Sequence, residues 1–297
     1  MRSFNPEDLQ IPKLHGLLLG AIGPRPIAFA STVDSDGRPN LAPFSFFNVF
    51  SANPPTLIFS PARRGRDNTT KHTYENVKKV REVVINIVDF AMVQQMSLAS
   101  SDFPVGVNEF EKAGFTMEPS ERVQPFRVKE SPAQFECVVK EVVELGSGGG
   151  AGNLIICEVV KIHMKDSILD GDGRVDQERI DTVGRMGGNW YVRAHGEALF
   201  EVAKPLQNPG VGIDQIPNDI RLSKILSGND LGQLGNVHDI PNETEVNEYR
   251  LTELGDLFVE LEDNPKELEE RLHKMAKAHI SKGNLNEAWM TLLSFNN

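Results

Sequence analysis

The sequence contains little cysteine, because Cys137 and Cys157 are the only two among its 297 residues. Two thiols exclude a disulfide framework, and their spacing is not that of metal ligands. We therefore interpret both as small buried apolar residues of a protein from a reducing compartment. The seven histidines are scattered, with no pair at helical ligand spacing beside a carboxylate, so we predict no metal site.

Long hydrophobic runs are also missing, since no apolar stretch reaches the roughly eighteen residues that a membrane span requires. Residues 1–8 carry one positive charge followed by acids, which is not the pattern of a signal peptide. We therefore expect a cytoplasmic protein that does not associate with a membrane.

Positive charge is scarce, with 31 Lys and Arg against 42 Asp and Glu, for a formal net charge of -11. Such a chain repels nucleic acid and anionic lipid as a whole, so we expect no nucleic-acid partner, and a bound anion would require a local basic patch. Hydrophobic residues make up 39% and charged residues 25%, which is typical of a folded protein and excludes global disorder.

What the sequence does contain, over about its first 200 residues, is a series of short runs rich in strand-forming residues. Turn signals separate these runs, and few helices lie between them, which favours a small barrel over a doubly wound sheet. The predicted strands are 26–32, 41–50, 56–60, 83–88, 134–144 and 153–162, and the predicted helices are 70–79 and 91–100.

The last two of these strands surround the glycine-rich stretch 146–152. Gly146, Gly148 and Ala151 fit a loose dinucleotide-binding pattern, but a strand follows them where that pattern needs a helix. We interpret this stretch as the flexible loop of an antiparallel hairpin.

The composition changes after about residue 200, and we predict two domains, 1–204 and 205–297. Residues 205–241 are rich in Gly, Asn and Pro, with weak periodicity. Asn264 and Pro265 form a typical helix start, Gly283 ends that helix, and Asn284 starts another. The second domain is therefore predicted to be irregular at first and then helical.

The stretch 61–73 is the most distinctive chemical feature of the sequence. Arg63, Arg64, Arg66 and Lys71 outweigh Asp67 within this acidic chain, and the stretch runs into a predicted helix start. Free N–H groups and the positive end of a helix dipole favour a phosphate there. A solvated basic loop is the alternative, and the local chemistry does not decide between the two.

A second feature is aromatic, with four phenylalanines within 41–50. Strand alternation predicts that Phe44 and Phe46 are buried on one face, with Phe47 on the other. These side chains fit either a hydrophobic core or an apolar pocket for a planar ligand.

Several motifs, taken in order, resemble the flavin reductase-like family over about residues 15–195. This resemblance implies a mainly β protein, an FMN-binding split β-barrel with peripheral helices, to which the C-terminal helical extension is added. It also implies a homodimer. The motifs are 23–32, 40–47, 53–55, 66–69, 109–110 and 184–191.

The resemblance also implies which residues bind FMN. One segment would lie along the isoalloxazine and ribityl chain, and a second would bind the phosphate, with Arg25 and Arg185 as further contacts or structural residues. The first segment consists of Asn40, Ala42, Pro43, Phe44 and Ser45, and the second of Ser60, Arg66, Asn68, Thr69, Lys71 and His72.

By this resemblance the protein is an FMN-binding oxidoreductase that passes hydride from NADH or NADPH to flavin. The alternative is a flavoredoxin-type electron carrier with tightly bound FMN that serves a protein partner, such as a monooxygenase or another electron acceptor. Because the flavin itself carries the redox chemistry, no nucleophilic side chain is needed, and we name no catalytic residue. A third hypothesis makes the C-terminal extension an interaction module.

Overall fold

The computed structural model describes residues 1–204 and 209–296. The chain divides into an N-terminal unit, Met1–Phe200, and a C-terminal unit, Glu201–Asn297. The domain boundary predicted between residues 204 and 205 borders residues 205–208, which lie outside the described residues.

The N-terminal unit is built around an antiparallel sheet of seven strands, accompanied by two small two-stranded sheets. Most of the strands predicted from the sequence are present, with ends that differ by a few residues. The strands are β1 (Ala28–Val33), β2 (Pro39–Phe44), β3 (Phe47–Ala52), β4 (Pro55–Phe59), β5 (Glu82–Asn86), β6 (Met117–Glu118), β7 (Arg127–Val128), β8 (Ala133–Glu144), β9 (Asn153–Met164), β10 (Val183–Arg185) and β11 (Tyr191–Arg193).

The large sheet is curled into an open barrel. Its strand order is β2-β1-β5-β8-β9-β4-β3, so β2 and β3 are the two edge strands. Only Ser45 and Phe46 connect these edges, and three Cα–Cα steps span at most about 11 Å. The end of β2 and the start of β3 must therefore lie close together, although no ladder joins β2 to β3 within the described residues.

Strand β1 is buried along its whole length because the sheet is covered on both faces. Phe29 packs with Met92 and Met96 in one hydrophobic cluster, while Ala28 and Ala30 belong to a second cluster inside the curled sheet. This double covering fixes β1 and β2 as a rigid platform for the residues around them.

Four α-helices of the N-terminal unit accompany the described strands. Helix α1 has no buried residue, whereas the other three contribute side chains to the core. They are α1 (Ile11–Ala21), α2 (His72–Lys79), α3 (Val93–Ala99) and α4 (Glu109–Ala113).

The C-terminal unit has its own hydrophobic core. Trp289 is fully buried there, and its indole N–H donates to the carbonyl of Leu234 at 3.1 Å. The predicted helix start is confirmed, since the Asn264 side chain accepts from the N–H of Glu267. The helices are α5 (Asn218–Arg221), α6 (Gly228–Gly235), α7 (Glu243–Glu253), α8 (Gly255–Glu260), α9 (Pro265–Ser281) and α10 (Leu285–Leu293).

Three expectations about the fold were wrong. The chain is not mainly β, because helices account for 34% of it and strands for 23%, and helices begin in the stretch predicted to be irregular. Phe46 is exposed because the chain bends between β2 and β3, so strand alternation does not continue past Phe44.

Both cysteines are buried, as predicted, and they are free thiols. Burial raises the pKa of Cys137 and of Cys157, so neither is a reactive thiolate. Across the described ranges, no helix combines the length and the hydropathy that crossing a bilayer requires.

Candidate functional site

A small cleft of about 30 Å³ opens in the N-terminal unit where three segments meet. These segments are the start of β2, the N-terminus of α2, and the loop 100–108 between α3 and α4. The residues that line the cleft are Asn40, Ala42, Arg64, Lys71, His72, Thr73, Ala99, Ser100, Ser101, Asp102, Phe103 and Glu109.

Buried polar contacts hold the three segments together. The side-chain amide of Asn40 donates to the hydroxyl of Thr73 at 3.0 Å, which joins β2 to α2. The carboxylate of Glu109 accepts from the N–H of Leu41 at 3.0 Å, which joins α4 to β2. Because these groups are buried, breaking either contact would leave an unsatisfied polar atom, and the cleft is therefore held in a defined shape.

Three basic side chains, Arg64, Arg66 and Lys71, converge on the carboxylate of Asp102, and we call these three the cation cluster. Oδ1 of Asp102 lies 3.1 Å from Nη2 of Arg64 and 3.2 Å from Nζ of Lys71. Oδ2 lies 2.9 Å from Nη2 of Arg66. The cluster is thus arranged around a single anionic group.

The three cations differ in exposure. The side chain of Arg64 is 14% exposed and that of Lys71 33%, whereas Arg66 is 65% exposed and also pairs with Asp67 at 2.9 Å. Arg64 and Lys71 are therefore better placed than Arg66 to form a charge-assisted hydrogen bond with an anion, because their side chains are partly shielded from water.

The basic loop, residues 61–70, has a fixed internal structure. Asn68 has a left-handed backbone, and its side chain accepts from Nε of Arg63 at 2.7 Å and donates to the carbonyl of Ser147 at 2.9 Å. Gly149 packs against this loop, where an added Cβ would lie 3.2 Å from the carbonyl oxygen of Arg64. The glycine-rich hairpin loop therefore packs against the basic loop and supports it, and it is not the free flexible loop that the sequence suggested.

The N-terminus of α2 adds a further anion-binding element. Among the described residues, no side chain caps this end of the helix, and Lys71 occupies the N-cap position. Burial, followed by the charges of Arg64 and Lys71, lowers the pKa of His72, with Asp102 opposing the shift. His72 is consequently neutral near pH 7, and the positive charge here comes from the cation cluster and the helix terminus.

The two carboxylates of the cleft have opposite pKa shifts. Burial raises the pKa of Asp102, but hydrogen bonds from Arg64 and Lys71 outweigh it and leave that pKa below the usual range. Burial raises the pKa of Glu109, and backbone hydrogen bonds only partly offset it. Asp102 is therefore firmly ionised, while Glu109 is the carboxyl that protonates more easily.

Some of the residues predicted to bind FMN come together in this arrangement. Asn40, Ala42, Lys71 and His72 line the cleft, and Arg66 reaches it through its pair with Asp102. The sequence reasoning missed Arg64, Thr73, Asp102 and Glu109 as lining residues, although the motif of Glu109 was noticed.

Other predicted residues do not line the cleft. Asn68 and Thr69 shape the basic loop, and the Thr69 hydroxyl donates to Asp67 at 2.6 Å. Phe44 packs in the core, where its ring lies 5.6 Å from that of Phe59. Pro43 and Ser45 flank Phe44 at the end of β2.

Two of the predicted residues are buried away from the cleft lining. The guanidinium of Arg25 donates to the carbonyls of Leu19, Ile22 and Met186, which ties the end of α1 to the segment after β10. The hydroxyl of Ser60 is buried and has no hydrogen-bond partner among the residues that the structure describes.

The N-terminal unit combines an open antiparallel sheet with a cleft lined by basic side chains, and comparison with known sequences gives its family. The model of the flavin reductase like domain matches residues 21–179, and the chain belongs to the flavin reductase-like family. An uncharacterized protein of Aquifex aeolicus is 41% identical over 189 residues, which cover 64% of this chain and 94% of that protein.

Solved structures agree with this assignment. Nitrilotriacetate monooxygenase component B from Bacillus cereus is 32% identical, with a TM-score of 0.63 over 68% of this chain and 98% of that chain. The 2-nitrobenzoate 2-nitroreductase of Pseudomonas fluorescens is 26% identical, with a TM-score of 0.62 over 71% of this chain and all of that one. The C-terminal unit lies beyond the end of the family match.

Proposed function

We propose that the protein is an FMN-dependent oxidoreductase that uses NADH or NADPH to reduce flavin. The observation that carries this proposal is the cation cluster beside the uncapped start of α2, in a chain of the flavin reductase-like family. Clustered guanidinium and ammonium donors at a helix N-terminus are the groups that bind a phosphate monoester.

The donors in the cleft fit the phosphate end of FMN. Arg64, Lys71 and the first N–H groups of α2 would hold the phosphate, with Arg66 at the edge. The hydroxyl of Ser60 is buried outside the cleft lining, so we do not include it among the phosphate donors. The segment from Asn40 to Ser45 would lie along the ribityl chain and the ring, and Phe44 would contribute through its backbone because its side chain is in the core.

When bound, FMN supplies a hydride acceptor, and the side chains have only to orient it and exclude water. The neutral His72 and the buried Asn40 are suited to that role, because neither brings a charge that must be neutralised. We assign no proton transfer to any residue of the cleft.

We further propose that the protein works as a homodimer. Several large apolar side chains of α1, of the residue that follows it and of β3 are exposed in the single chain, and exposed apolar side chains of this kind are suited to a protein–protein interface. These residues are Ile11, Leu17, Leu18, Ile22, Val49 and Phe50. An electron-accepting partner protein is also proposed, by analogy with the neighbour that is named as one component of a monooxygenase.

Anaerobic addition of NADH or NADPH to the FMN-loaded protein tests the proposed reaction. We expect the visible flavin absorption to bleach rapidly, in a phase that stopped-flow mixing resolves. If FMN binds but bleaching is slow with both nicotinamides, the electron-carrier alternative is favoured. A protein that does not bind FMN would contradict both proposals.

A further inference from the structure

We infer that Asp102 is a built-in competitor for the phosphate, occupying the cation cluster in the absence of ligand and thereby setting its affinity for phosphate monoesters. This inference rests on the proposed binding of FMN. Asp102 would contribute to specificity because only an anion that displaces it from the cation cluster can bind there.

The first argument is that Asp102 uses the donors that a phosphate would need. Both of its carboxylate oxygens are engaged, Oδ1 with Arg64 and Lys71, and Oδ2 with Arg66. An anion bound by the same three groups must therefore take their hydrogen bonds from Asp102 or share them at contact distance with its negative charge.

The second argument is one of charge balance. The three cations, Asp102 and Asp67, which pairs with Arg66, together carry one net positive charge. A phosphate monoester carries about −1.5 to −2 at pH 7, so it can compete with one carboxylate where a monovalent anion competes poorly. Asp102 would thus make the cluster selective for multiply charged anions.

The third argument concerns which side of the contact can move. Asp102 lies in the loop 100–108, outside any helix or strand, and its side chain is 36% exposed. Arg64, in contrast, is held by the carbonyl of Thr70 and the hydroxyl of Thr69. The loop that carries the anion can therefore move away while Arg64 stays in place.

The test measures the affinities of Asp102→Asn for FMN and for riboflavin, which lacks the phosphate. We expect the substitution to tighten FMN binding by about tenfold, the effect of removing one competing charged hydrogen bond, and to leave riboflavin binding within about twofold. Asp102→Ala is measured in parallel, because it also removes the hydrogen-bonding group.

The matched control is Asp172→Asn, which removes an exposed aspartate that lies 3.8 Å from Arg174 and does not line the cleft. It should leave both affinities unchanged. Far-ultraviolet circular dichroism confirms that each variant is folded.

The outcomes separate this inference from the proposed function. If the unchanged protein binds FMN, and both Asp102 variants bind it equally or more weakly, the inference is wrong while the proposed function stands. If both flavins bind Asp102→Asn about tenfold more tightly, the effect does not act through the phosphate, and the inference is again wrong. If the unchanged protein and all variants fail to bind FMN, both are wrong.

Discussion

Among single residues, Lys71 provides the clearest test of the proposal that the cation cluster binds the phosphate of FMN. Its ammonium lines the cleft at the start of α2 and is only one third exposed. Lys71→Ala should weaken FMN binding by about 1.5–3 kcal/mol, because a charge-assisted hydrogen bond to the phosphate is lost. Isothermal titration with FMN measures the change.

Lys79→Ala is the matched control, since Lys79 is exposed in the last turn of the same helix. It should not alter FMN affinity. Arg66→Ala should cost less than Lys71→Ala, because Arg66 lies at the surface and is shared with Asp67. Equal affinities for Lys71→Ala and the unchanged protein would show that backbone and hydroxyl donors bind the phosphate instead.

The basic loop shows how far a sequence can identify site residues. Its charge and its place before a helix predicted phosphate chemistry, but not which of two adjacent arginines faces the cleft. Arg63 turns back to hold Asn68, while Arg64 reaches Asp102. That choice depends on Asp102, which lies 38 positions away from Arg64, and the local pattern contains no information about this contact.

Among the structural elements, α9 provides a test of pH dependence. His273 is buried there, and its Nδ1 lies 2.7 Å from the hydroxyl of Ser223. Burial lowers the pKa of His273, although Glu269 and Asp219 oppose the shift. The unfolded state therefore binds a proton more readily, and the C-terminal unit should lose stability as pH falls below about 6.5.

Urea unfolding at pH 7.5 and 5.5 measures this effect. The chain has two tryptophans, and Trp190 is exposed while Trp289 is buried in the C-terminal unit. In a Trp190→Phe background, fluorescence therefore reports on that unit. His273→Gln should flatten the pH dependence, whereas His238→Gln, at an exposed histidine, should preserve it. An unchanged dependence in His273→Gln would contradict the assignment.

Helices and strands could be predicted from the sequence where the residues of the segment itself determine its structure. The hairpin of β8 and β9, the strand β1 and the start of α9 all follow from local residues. Helix α1 was not predicted, although Ile11, Leu14 and Leu18 have helical spacing, and none of its residues is buried in the single chain. The sequence predicted one strand over 41–50, whereas the chain bends between β2 and β3. That bend depends on how the whole sheet curls, which the local residues do not determine.

At the scale of the whole molecule, the exposed apolar residues of α1 and β3 predict the oligomeric state. Phe50 is 63% exposed on an edge strand, so Phe50→Glu should introduce a charge into the proposed dimer interface. We expect light scattering to give twice the mass of one chain for the unchanged protein and a shift toward the single-chain mass for the variant.

Leu98→Glu serves as the control, because Leu98 is an exposed leucine on α3. It should leave the assembly unchanged. A single-chain mass for the unchanged protein at micromolar concentration would contradict the proposed dimer without affecting the phosphate assignment.

The central claim is that the cation cluster holds FMN by its phosphate, and the most direct measurement compares the affinities of the unchanged protein for FMN and riboflavin. The two ligands share the ring and the ribityl chain and differ only in the phosphate. We predict that FMN binds at least about tenfold more tightly, and that rising salt narrows the difference. Equal affinities at low salt would contradict the claim.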